Sequence, residues 1–194
     1  MRRAAALAAA GVLLTAPGAA HEGTGPRGAV VEHRNEVAPD FTLTDQTGRP
    51  FALATERGRV LLVNFIYTSC RDACPLLTAK LALVQRRLAE VEGVRFVSIT
   101  VDPLRDSPGV LARYAEGFGA RPPRWVFLTG TAAEVEAALR AFGVTVRPGP
   151  GGSLDHTMVT VLVDRQGRRR FSYFGPDFDE AHVAADARAL LEER

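Results

Sequence analysis

The stretch Val60-Leu61-Leu62-Val63-Asn64-Phe65-Ile66-Tyr67-Thr68-Ser69-Cys70-Arg71-Asp72-Ala73-Cys74-Pro75 reads as a strand running into a helix, with both of the chain's cysteines at the junction. Val60 to Tyr67 is almost continuously β-branched, aliphatic or aromatic, the pattern of a strand buried on both faces of an α/β sheet. Beyond the cysteines, Leu77, Leu81, Val84, Leu88 and Val91 recur at spacings of four and three, one face of an amphipathic helix that is expected to run to Glu92, with Gly93 as a left-handed cap. Pro75 suits the first turn of that helix, where a missing N–H costs nothing. Cys70 then lies at the strand tip, beside a helix N-terminus whose partial positive charge favours a thiolate. Cys74 follows about one helical turn later, so the pair can close on one metal ion or on each other.

Two plainer readings of the cysteines carry less weight. A structural disulfide across so short a loop would remove only roughly 2 kcal/mol of unfolded-chain entropy, and would join residues the helix already holds together. Structural zinc wants four ligands, and a second cysteine pair is absent.

Working outward, Val94 to Val101 is a second buried strand, and strand, helix, strand at this spacing is a right-handed βαβ unit with parallel strands. Asp102-Pro103 ends it. Asp106 or Ser107 is expected to cap a helix that Pro108 opens and that runs to Phe118. Asp102 and Asp106 are thus read as turn and cap residues ahead of any ligand role. Trp125 to Thr129 is the next strand and Thr131 to Phe142 the next helix. Arg147 to Ser153, rich in glycine and proline, is expected to be a mobile loop. It leads into Asp155-His156-Thr157, a strand from Met158 to Asp164, a turn at Gly167, a hairpin partner from Arg170 to Phe174, and a last helix capped by Asp179 and running to Leu191. On the N-terminal side, Ala38 to Leu53 forms two alternating runs around Asp45-Gln46-Thr47-Gly48, a β-hairpin signal. No internal repeat or second domain is visible.

The 194 residues have room for one domain with a good core and a processed leader. Arg2 and Arg3, the apolar run Ala4 to Ala16 and the small residues Gly18-Ala19-Ala20 read as an export signal over residues 1–20. Residues 21–36, rich in glycine and charge, read as a flexible leader, and residues 37–194 as the domain. The apolar run is short for a membrane span and is interrupted by Pro17, which favours a soluble protein after cleavage over a retained anchor. His21, if it becomes the first residue, could bind copper adventitiously. Export places Cys70 and Cys74 in an oxidising compartment, the periplasm or the outer face of the cytoplasmic membrane, where a partner must keep them reduced or use them as a redox couple. The net charge of +2 includes Arg2 and Arg3, and the remaining arginines form no basic stripe, so no nucleic-acid partner is expected.

Several motifs then agree. Cys70-Arg71-Asp72-Ala73-Cys74-Pro75, Val97 to Asp102-Pro103, Arg105-Asp106-Ser107-Pro108, Trp125 with Leu128-Thr129-Gly130, and Asp155-His156-Thr157 come in an order and spacing that resemble the Sco family of copper proteins, also called SenC-like. The resemblance runs from about Ala38 to Phe174. It implies an α/β, thioredoxin-like fold, with a central mixed sheet flanked by helices and an N-terminal β-hairpin. It implies copper, as Cu(I) or Cu(II), bound by Cys70, Cys74 and His156: two soft thiolates that suit Cu(I) and an imidazole that also admits Cu(II). It implies a metallochaperone that delivers copper to the dinuclear copper centre of a respiratory cytochrome oxidase, with that oxidase subunit and a copper donor or thiol reductant as partners. Arg71 and Ala73 depart from the family, which commonly has proline and a branched apolar residue there. A cation at Arg71 is expected to lower thiolate pKa.

The alternative is a thiol-disulfide oxidoreductase that uses Cys70 and Cys74 as a catalytic redox pair, reducing the cysteines of that copper centre or of another exported partner. Ordinary thioredoxin-like reductases have two residues between the sulfurs; this chain has three. Ala38-Pro39-Asp40-Phe41 suggests a peroxiredoxin, but Tyr67 stands where those enzymes place a threonine. A purely structural module leaves His156 without a role.

Overall fold

The computed structural model describes residues 30–193. The expected signal segment, residues 21–29 of the expected leader and His21 lie outside the described residues. In chain order the elements are β1 (Val30–Val37), β2 (Thr42–Asp45), β3 (Pro50–Ala52), β4 (Val60–Ile66), α1 (Ala73–Arg87), β5 (Val94–Thr100), α2 (Pro108–Gly117), β6 (Trp125–Thr129), α3 (Ala132–Ala141), β7 (Val146–Pro148), β8 (Leu154–His156), β9 (Val159–Val163), β10 (Arg168–Phe174) and α4 (Glu180–Glu192). The main sheet has the order β1-β10-β9-β4-β5-β6-β2-β3. Strands β4, β5 and β6 are parallel, while β9 and β2 flank them antiparallel. This is the mixed sheet of a thioredoxin-like fold, and every residue of β4 is buried, as its unbroken apolar pattern requires.

Side-chain register shows which face each helix covers. Thr160, Asn64, Ser98 and Phe127 stand abreast on β9, β4, β5 and β6. Tyr114 of α2 packs edge-on against Phe127, ring centres 6.0 Å apart, and shares a 3.0 Å hydroxyl contact with Thr78 of α1. Tyr173, the partner of Thr160 in the sheet, donates its hydroxyl to Asp186 of α4. So α4, α1 and α2 lie on that face. Phe65, which points the opposite way from Asn64, meets Phe142 at the end of α3 at 5.6 Å, and α3 covers the other face. The row of buried polar groups under α1 is tied together: the Trp125 indole N–H donates to Ser98 Oγ at 2.9 Å, and that hydroxyl donates to Asn64 Oδ1 at 2.7 Å.

The expected hairpin is β2–β3, antiparallel from Thr42↔Ala52 to Thr44↔Pro50. It docks on β6 through Thr44↔Thr129, and buried Gln46 extends the pairing, accepting from Phe127 N–H at 2.9 Å and donating to the Trp125 carbonyl at 3.2 Å. Thr131 and Glu134 form a capping box that satisfies two N–H groups at the start of α3.

Three expectations need correction, and the cap of α2 is settled between its two candidates. The leader expected to be flexible to residue 36 becomes strand β1 at Val30, paired antiparallel with β10. Polar side chains hold it there: His33 Nε2 lies 2.8 Å from Ser172 Oγ and His33 Nδ1 2.6 Å from Glu36, which also pairs with Arg169. Helix α1 ends at Arg87 and not at Glu92. Leu88, Ala89 and Val91 turn out of the helix, and the Arg124 guanidinium takes the carbonyls of Leu88, Ala89 and Val91 in place of a further helical turn. Of the two residues expected at the N-cap of α2, Ser107 takes the position, with no side-chain hydrogen bond, and the Asp106 carboxylate is used elsewhere. The segment from Arg147 to Ser153 is a built hairpin, β7 paired with β8 across a 3-10 turn at Pro150–Gly152. Gly151 and Gly152 take φ of 64° and 80°, which the turn needs and which residues with a side chain resist. No helix among the described residues is long and apolar enough to cross a membrane.

If Arg124 closes α1, Arg124→Ala should lower the unfolding free energy by about 1.5–3 kcal/mol, the range for hydrogen bonds to a charged group. Urea unfolding measures it. A midpoint equal to that of the unmodified chain would show that water caps those carbonyls equally well.

Candidate metal centre

Where β4 ends, the chain leaves the sheet through Tyr67 and Thr68 and must hold a fixed path before α1 begins. Asp106 sets that path. Fully buried, it accepts from Thr68 N–H at 3.1 Å, Thr68 Oγ1 at 2.5 Å and Thr100 Oγ1 at 2.5 Å, so the tips of β4 and β5 are joined through one carboxylate. Cys70 follows, its N–H donating to the Tyr67 carbonyl at 3.3 Å. Cys74 sits in the first turn of α1 and donates its N–H to Cys70 Sγ at 3.4 Å. A helix N-terminal N–H thus faces the sulfur, as the strand-to-helix junction predicts.

The two thiols are unlike. Both are free, Cys74 buried and Cys70 partly exposed. Burial pushes the Cys70 thiol up, but hydrogen bonds from the Asp72 and Cys74 N–H groups and from the Cys74 and Tyr67 side chains outweigh it, and the thiol is held below its ordinary value. Burial pushes the Cys74 thiol up to about 12, with the neighbouring Cys70 sulfur adding to the rise. The sequence reading assigned part of this tuning to Arg71. Arg71 is exposed and is not among the leading contributions, which come from the backbone N–H groups and the neighbouring thiol and phenol.

His156 arrives from the far side of the cleft on β8. Its Nδ1 lies 3.0 Å from the Thr157 carbonyl, an acceptor only, so the proton sits on Nδ1 and Nε2 is left with a lone pair. That Nε2 lies 3.6 Å from Cys74 Sγ. Burial holds the imidazole below its ordinary pKa, with the Thr157 carbonyl and Asp155 acting in the opposite sense, so it is neutral and able to ligate at pH 7. The hairpin that carries it is fastened twice. Tyr67 accepts the Leu154 N–H at its hydroxyl, 3.2 Å away, and packs edge-on against the His156 ring at 5.9 Å. Arg105, paired with Asp102 at 2.7 Å, donates to the Gly152 carbonyl at 3.3 Å.

Cys70, Cys74 and His156 therefore line one cleft of about 750 Å³, together with Tyr67, Arg105 and Met158. Two sulfurs and an imidazole nitrogen fit a copper ion by donor type. Among the described residues no three such donors are already gathered as a metal cluster; Cys74 Sγ and His156 Nε2 face each other, and Cys70, partly exposed, lines the same cleft. Sequence reasoning found the three donors and missed their fastenings. Tyr67 gave one signal, an aromatic with a polar tip at the end of a buried strand. Asp106 gave only a cap signal, which pointed the wrong way.

The SCO1/SenC family model matches residues 30–192. The SCO1 protein homolog of Bacillus subtilis is 35% identical over 144 residues, covering 72% of this chain and 74% of that protein. The structure of Bradyrhizobium japonicum ScoI with copper bound superposes with a TM-score of 0.69 at 30% identity, over 79% of this chain and 99% of that one. A structure of BsSco, described with a disulfide switch and as a member of the Sco family of cytochrome c oxidase assembly proteins, gives 0.71 at 30% identity over 82% of this chain and 96% of that one. Among mammalian relatives, this chain spans 52% of the length of the mouse mitochondrial SCO2 homolog. The chain belongs to the SCO1/SenC family.

The unlike thiols give a direct expectation. A small alkylating reagent should modify Cys70 well before Cys74, and Cys70 should keep reacting as pH falls below the ordinary thiol range, since its thiolate persists there. Timed alkylation followed by peptide mass mapping reads both. Equal rates at the two sites, or faster loss of Cys74, would contradict the asymmetry.

Proposed function

We propose that this member of the SCO1/SenC family binds copper through Cys70, Cys74 and His156 and passes it to the dinuclear copper centre of a respiratory cytochrome oxidase. The observation that carries the reading is His156: its Nδ1 is committed to the Thr157 carbonyl while its Nε2 faces Cys74 Sγ at 3.6 Å. Thiol exchange has no use for a third donor brought from another strand and fixed in the ligating tautomer. When bound, copper would be the cargo. The protein's part is to present soft sulfur donors at a helix start, with Cys70 open to solvent, and a borderline nitrogen donor on a hairpin. Cys74 is buried and stays with the site, whereas Cys70 is accessible from solvent and is the sulfur an incoming acceptor would compete with first. The expected working place is the periplasm or the outer face of the cytoplasmic membrane, with the oxidase's copper-accepting subunit as partner and a copper donor or reductant upstream.

A second reading is supported by the contrast between the two thiols. A partly exposed Cys70 held low and a buried Cys74 pushed up to about 12 are what an attacking and a resolving thiol require. On this reading Cys70 attacks a disulfide of the partner, one partner sulfur leaves as thiolate, and Cys74 then attacks the mixed disulfide, which releases the second partner thiol and leaves Cys70 and Cys74 oxidised.

Anaerobic titration separates the two. Reduced protein should take up one Cu(I) per monomer, and Cys70→Ser or Cys74→Ser should each abolish tight binding. His156→Ala should sharply weaken Cu(II) binding, weaken Cu(I) binding less, and leave the rate of reduction of a small disulfide nearly unchanged. Intact Cu(II) binding with crippled disulfide reduction in His156→Ala would move the assignment to the oxidoreductase.

A further inference from the structure

The cleft contains one soft donor that neither reading uses. Met158 lines it beside Cys70, Cys74 and His156, and is half-buried against the core. Its backbone is held in place: the Met158 carbonyl accepts from Gly175 N–H at 3.0 Å, and Thr157 N–H donates to the Thr145 carbonyl at 3.0 Å. Thr157 and Met158 form the link from β8 to β9, so Met158 follows the His156 ligand by two residues at the point where the hairpin joins the main sheet, and both line the same cleft. If this position served packing alone, an aliphatic side chain would suffice, as Val159, Val161 and Leu162 do in the strand that follows. A thioether differs from them in one chemical respect, a soft, uncharged sulfur with affinity for Cu(I) and little for harder ions.

We propose that Met158 Sδ is a ligand for Cu(I) in this cleft, adding a thioether to the two cysteine sulfurs. The inference rests on the copper reading above and deepens it. Cys70 and Cys74 give binding strength, His156 admits Cu(II), and Met158 biases the site toward Cu(I). Ligation forms a metal–sulfur bond and needs no proton release, because the thioether carries none. Retention of Cu(I) would then be less sensitive to transient loss of one cysteine to an acceptor.

The test uses the full chain labelled with selenomethionine and loaded anaerobically with Cu(I), read at the selenium X-ray absorption edge. The chain has two methionines, Met1 and Met158, so Met158→Leu isolates the signal. Copper backscattering should be present in the labelled protein and lost in Met158→Leu. A Met-to-Leu exchange nearly conserves side-chain volume and apolar character, so the variant keeps its fold. In competition with a Cu(I) chelator, Met158→Leu should bind Cu(I) roughly tenfold more weakly, about 1.4 kcal/mol, with Cu(II) affinity unchanged. One bound Cu(I) per chain with no copper–selenium signal would overturn the role of Met158 and leave the copper reading standing. Failure of the unmodified chain to take up Cu(I) at all would overturn both.

Discussion

A single buried carboxylate holds the two cysteines where they can act. Asp106 accepts three hydrogen bonds, two from Thr68 and one from Thr100. A buried carboxylate is tolerated only when it is hydrogen-bonded in this way, and the requirement runs in both directions. The loop satisfies the carboxylate, and the carboxylate decides where the loop lies. Thr100 Oγ1 in turn accepts from Asp102 N–H at 2.9 Å, so the turn after β5 is part of the same knot. From that turn Arg105 reaches the Gly152 carbonyl, and the hairpin bearing His156 is linked to the loop bearing Cys70.

The chemistry of the site follows from how unevenly this knot buries its groups. Cys74 is enclosed at the first turn of α1, with Tyr114 and Thr78 behind it, whereas Cys70 stands at the cleft edge with N–H groups directed at its sulfur. The two sulfurs therefore differ in access: Cys74 is enclosed and Cys70 is open to solvent on one side. His156, fixed in tautomer by its own neighbour's carbonyl, closes the third side. By donor type the arrangement suits a soft ion, and its asymmetry suits disulfide exchange, which is why one cleft accommodates both readings.

Much of this was legible from residue pattern. The unbroken apolar run of β4, the helix spacing after Pro75 and the second apolar run of β5 specify a parallel βαβ unit with little ambiguity, and the hairpin signal at Asp45 to Gly48 was equally plain. Strand β1 was not legible because its inward contacts are polar: His33 and Glu36 meet Ser172 and Arg169, and hydrophobic alternation carries no trace of such pairs. The early end of α1 depends on Arg124, a residue of the loop before β6, and no local signal in the helix records it. Asp106 was misread for a related reason. An aspartate before Ser-Pro fits a helix cap, and only the fold brings Thr68 and Thr100 to it.

The central claim is that His156 completes a copper site with the two cysteines, and pulsed electron paramagnetic resonance of the Cu(II)-loaded protein, with histidine labelled in ¹⁵N, tests it most directly. The account predicts coupling to a single imidazole, absent in His156→Ala. The chain has four histidines, so the assignment to one is a real constraint. Imidazole coupling that survives in His156→Ala, or a Cu(II) centre with no imidazole at all, would contradict it.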